Sequence, residues 1–138
     1  MNGSPRAPTP AVLNLIRFAM LGGVVALCLA MWFVYRAGRP TPVPRQTAAI
    51  LVAAASGLAL ASGLGLVAIR AAMARADTPQ KRASLFIVGY AIAEAPALFG
   101  GACLVLTASA LPCALGLAVF GLAFLLLPVP EQDSPSQN

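Results

Sequence analysis

The chain has 138 residues, 59% of them hydrophobic and only 9% charged, with a mean hydropathy of +0.85, where a soluble domain carries about 25% charged residues. Four acidic residues and no histidine leave acid–base, metal-site and Ser-His-Asp chemistry without their usual groups, so an ordinary cytosolic enzyme is excluded. The nine basic residues give a net charge of +5 but lie between apolar runs, which reads as membrane topology and not as a nucleic-acid face.

A helix needs about 20 apolar residues to cross a hydrocarbon core of about 30 Å. Four runs answer to that, at about 18–35, 47–69, 83–107 and 111–127, the last the shortest. The expected fold is an all-α membrane protein with four transmembrane helices in antiparallel hairpins, filling 11–128 between disordered tails at 1–10 and 129–138. The tails are rich in Pro, Ser, Asn and Gln and lack apolar periodicity.

The first run follows Arg6 and Arg17 but continues through Trp32, Phe33 and Tyr35 with no small-x-small cleavage site, so it reads as a retained span and not a signal peptide. Pro40, Pro42 and Pro44 break the linker to the second run, and Asp77 and Pro79 break the linker to the third. Only 108–110 separate the third run from the fourth, and Pro112 falls where a first-turn proline is tolerated. A tight hairpin is expected there. Arg6, Arg17, Arg70, Arg75, Lys81 and Arg82 fall on one side of the membrane, and Arg36, Arg39 and Arg45 on the other. Six against three puts both termini in the cytoplasm, with a bacterial inner membrane as the expected location. Cys28, Cys103 and Cys113 have no CxxC spacing and sit in or beside the spans, so they read as small buried hydrophobes.

Glu94 breaks the apolar pattern of the third span. It lies about 15 Å from the cytoplasmic end of the run, counted at 1.5 Å per residue, and mid-membrane burial favours its protonated form. Tyr90 lies one turn earlier on the same face, and Ser56 and Ser62 of the second span bracket the same depth. These four are the candidate ion-binding residues. Small residues alternate from Ala53 to Gly65, and Ala53, Gly57, Ala61 and Gly65 repeat at every fourth position. Gly89, Ala93 and Ala97 extend the pattern around Glu94, and such stripes let helices pack closely. No catalytic residue, metal site or cofactor is expected.

Residues 53–106 resemble the hairpin of the rotary ATP synthase c subunit, the proteolipid. The likeness rests on the alternating small residues, the loop with Arg75 and Pro79, Leu85-Phe86-Ile87-Val88-Gly89, and Ala93-Glu94-Ala95-Pro96-Ala97-Leu98-Phe99-Gly100. The resemblance implies that Glu94 is a proton-binding carboxylate, that the small residues pack helices into a ring, and that the loop meets a central stalk. One additional span precedes the matched hairpin and one follows it.

Two functions fit the sequence. One is a structural or accessory subunit that binds other membrane subunits, or its own copies, through the small-residue faces, with the lipid bilayer as its surroundings. The other is a proton- or cation-handling protein that uses Glu94.

Overall fold

The computed structural model describes residues 8–38 and 43–129, and these form four α-helices with no strand among the described residues. Helix α1 spans Pro10–Ala37, α2 Arg45–Ala74, α3 Pro79–Thr107 and α4 Leu111–Leu126. The first three are long and apolar enough to cross a membrane, whereas α4 has 16 residues and is shorter.

Local sequence sets the ends. Thr9 and Thr78 each place a hydroxyl on the third backbone N–H that follows, from Val12 at 3.5 Å and Lys81 at 3.3 Å, and each is followed by a proline at the helix start. A proline there gives up an N–H that has no intrahelical acceptor anyway. This cap starts α1 at Pro10, eight residues before the apolar run, and moves Pro10 from the expected tail into the helix. Residues 1–7 and 130–138 of the expected tails lie outside the described residues. The linker between the second and third runs shrinks to 75–78, because α2 continues through Arg70 and α3 already starts at Pro79. Arg82 Nε closes that turn on the Ala76 carbonyl at 3.1 Å. Ala108 ends α3 in the left-handed region, φ 56°, and its N–H bonds the Leu104 carbonyl.

Helix α3 is the hub: it packs against α1, α2 and α4, and α2 also packs against α4. Its tightest partner is α4, as the short 108–110 connection predicts. Gly100 and Gly116 make the antiparallel contact reciprocal. A Cβ on Gly100 would press on the Pro112 carbonyl and lie 2.9 Å from Cys113 Cα; one on Gly116 would press on the Pro96 carbonyl and lie 2.7 Å from Ala97 Cα. Backbone meets backbone at both points, so no side chain fits. Pro96 lies inside α3 and is fully buried. Its missing N–H leaves the Ile92 carbonyl without the usual donor.

Alanine at position 116 should therefore lower stability by about 1–3 kcal/mol, the usual range for overpacking. At Gly121, where a Cβ meets open space, the same change should be neutral or stabilise by up to about 1 kcal/mol through helix propensity. Thermal melts of both variants in mild detergent, followed by circular dichroism, check the contrast.

Candidate functional site

The polar groups of the bundle gather at one level, where α4 ends. The carbonyls of Phe124 and Leu126 would ordinarily accept from the N–H groups four residues on. Those positions are Pro128 and Pro130, which have none. Arginines from two other helices replace them. Arg17 of α1 donates to the Phe124 carbonyl at 2.7 Å and Arg70 of α2 donates to the Leu126 carbonyl at 2.8 Å. Cations are favoured at this negative end of a helix. The Arg17 guanidinium also lies 3.6 Å above the Phe124 ring, a cation–π contact. Phe18 meets the same ring edge-on at 6.3 Å.

Next to this cap, Tyr90 is completely buried among Phe86, Phe120 and Phe124, with ring centroids 4.9, 6.1 and 6.0 Å away. Its hydroxyl and Arg17 Nε are both buried without a hydrogen-bond partner. Phe124 is shared by the two groups, with its face to the guanidinium and its ring against Tyr90.

The sequence-derived candidates are separated by the fold. Glu94 is half-buried on α3 and makes no hydrogen bond or ion pair among the described residues. Tyr90 shares its face of the helix, one turn away, but packs among the aromatic rings. Ser56 returns its hydroxyl to the Val52 carbonyl at 2.9 Å and lines an apolar groove of about 350 Å³ between α2 and α4 with Ala59, Leu60, Leu115, Ala118, Val119 and Leu122. Ser62 is buried on the inner face of α2, and no hydrogen bond joins it to Glu94. Among the described residues, no hydrogen bond joins the four expected ion-binding residues to one another.

Depth changes too. Leu127, just past the end of α4, is the side chain that fills the space over Gly89 of α3, so Gly89 marks the arginine level on α3. Glu94 is five residues beyond it, about 7.5 Å along the helix axis, against the 15 Å counted from the start of the apolar run. The first turns of α3 extend past the end of α4.

The packing residues divide in the same way. Gly89, Ala93 and Ala97 are buried, with Gly89 filled by Leu127 and Ile69. On α2 the inner face is Ala55, Ala59, Ser62, Leu66 and Ile69. Ala53, Gly57 and Ala61 point outward, and Gly65 lies at the margin, where an added Cβ would sit 3.7 Å from Ile92. A Cβ on Gly57 would meet nothing within 4 Å.

Two features escaped the sequence reading although it holds their signals. One is the pair of prolines after α4, which called for outside donors at its end. The other is the register of α1 on α4: Arg17 meets Phe124, and eleven residues away along each helix Cys28 and Cys113, both free, fall at one level. No family model matches the chain, and neither a curated protein nor a solved structure matches it.

Replacing Arg17 by Met removes a charge-assisted hydrogen bond and the cation–π contact from a partly buried place, and should cost about 1.5–3 kcal/mol. The Arg70→Met change acts at an exposed bond and should cost about 1 kcal/mol or less. Unfolding midpoints in mixed detergent micelles rank the two; equal midpoints would contradict the different roles of the two arginines.

Proposed function

We propose that this chain is a four-span structural or accessory subunit that joins neighbouring helices in the membrane, from its own copies or from a larger complex, through the outward face of α2. The observation that carries this reading is the direction of the small-residue stripe. Ala53, Gly57 and Ala61 face away from the bundle, whereas intramolecular packing of α2 uses a different face. Lipid tails give no hydrophobic drive for helices to associate, so close approach at small residues is a main source of association.

The arginines support a membrane frame for the whole bundle. Arg17 and Arg70 mark one boundary and Arg36 and Arg45 the other. The rise from Arg17 to Arg36 is 19 residues of α1, about 28 Å, and from Gly89 to Thr107 18 residues of α3, about 27 Å, while Arg45 is 25 residues, about 38 Å, from Arg70, so the start of α2 reaches past this slab. Helix α4 fits the same slab despite its 16 residues, because its end is held at the arginine level. In this frame the arginine-capped end is cytoplasmic and both termini lie on that side.

A second reading is proton or cation handling by Glu94. What favours it is a half-buried carboxyl without a partner among the described residues, about 7.5 Å inside the arginine level.

Leucine at position 57 should leave the monomer folded, since the space there is open, and should abolish association measured by resonance energy transfer between labelled copies, or copurification of partner subunits. Unchanged association would remove the α2 face from the account. A hydrophobic carbodiimide should modify Glu94, with a yield that falls as pH rises, if this carboxyl titrates within the membrane; no modification at any pH would exclude the ion-handling reading.

A further inference from the structure

Helix α1 is the least embedded of the four. Only Leu13 and Val24 are buried among its 28 residues, and its main packing surface is α3. At the arginine end it is tied to α4 by Arg17. At the other end the attachment is built around two consecutive glycines of α3. The Gly100 position is closed by the backbone of Pro112 and Cys113, while a Cβ on Gly101 would lie 3.6 Å from Met31 Cγ of α1. Because neither glycine carries a side chain, α1 and α4 both settle on the same turn of α3. Arg17 meets Phe124, and eleven residues on, about three turns, Cys28 of α1 and Cys113 of α4 fall at the same level on the same sides of their helices, Cys28 one turn before Met31 and Cys113 beside Gly100. Both are free thiols and neither is fully buried. Cys103, in contrast, is buried and directs its Sγ to the Leu51 carbonyl at 3.8 Å.

We propose that Cys28 and Cys113 are a dithiol site that oxidises to an intramolecular disulfide, fastening α1 to α4 in the half of the bundle away from Arg17. The oxidant is a disulfide-bearing molecule able to reach the apolar region. One cysteine, as thiolate after losing its proton, attacks a sulfur of that disulfide and releases the first thiol. The other cysteine, also losing its proton, attacks the mixed disulfide and releases the second. The two electrons of the new Cys28–Cys113 bond's formation pass to the oxidant, which leaves as two thiols. Cys113 lies two residues into α4, and the membrane frame proposed above puts this end on the non-cytoplasmic side, where disulfides persist. Oxidation itself depends only on the pairing and stands apart from the subunit reading.

The test uses full-length protein in mild detergent, with Cys103→Ala to leave only the pair, treated with dithiodipyridine, a lipid-soluble aromatic disulfide. The expected result is two released thiopyridones per chain and a monomer whose intact mass is lower by two hydrogens, with no adduct retained. Adding Cys28→Ser should instead trap one stable pyridylthio adduct on Cys113. Two retained adducts on the Cys103→Ala protein would overturn the proposal. So would a disulfide formed only between copies, or thiols that stay unreactive in the folded protein but react once it is unfolded.

Discussion

The bundle depends on the closeness of α3 and α4 at Gly100 and Gly116. In a lipid environment, helices cannot be driven together by withdrawing apolar surface from water, because the surroundings are as apolar as the side chains. Packing must come from dispersion contacts at short range and from interhelical hydrogen bonds. Reciprocal glycines bring the two backbones into contact, and that contact allows a helix of only 16 residues to stay docked. It also fixes where α4 ends, and therefore where its unsatisfied carbonyls appear.

Those carbonyls organise the remaining polar chemistry. Buried or interfacial backbone groups need partners, and prolines at 128 and 130 remove the local donors for Phe124 and Leu126. Arg17 and Arg70 reach in from α1 and α2, so one helix end draws two other helices to a common level. The aromatic cluster of Phe86, Tyr90, Phe120 and Phe124 joins the Arg17 side of that arrangement through Phe124. Tyr90 thereby belongs to the architecture of the cap. Glu94 is left without a hydrogen bond or ion pair among the described residues.

Much of the fold was legible because the apolar runs are long and the breaks between them are strong: the proline-broken linkers and the short 108–110 turn needed no tertiary information, whereas the Thr-Pro starts at Thr9 and Thr78 lie ahead of the apolar runs and were not read. The direction in which each stripe faces was not legible. Ala53-Gly57-Ala61 and Gly89-Ala93-Ala97 look alike in sequence, yet the first lies outside the bundle and the second inside. An alanine-rich helix has little amphipathic contrast to fix its rotation, so the choice is made by packing partners. Cys28 and Cys113 are far apart in the chain, and only the docking of α1 and α4 over Gly100 and Gly101 shows them as a pair.

The most direct measurement of the central claim, that this is an associating membrane subunit, is native mass spectrometry of the chain extracted from its own membrane in a mild detergent. The account predicts species heavier than the single 14.0 kDa chain, either multiples of that mass or its sum with partner subunits. A lone chain of 14.0 kDa, with its four helices intact and nothing attached, would contradict it.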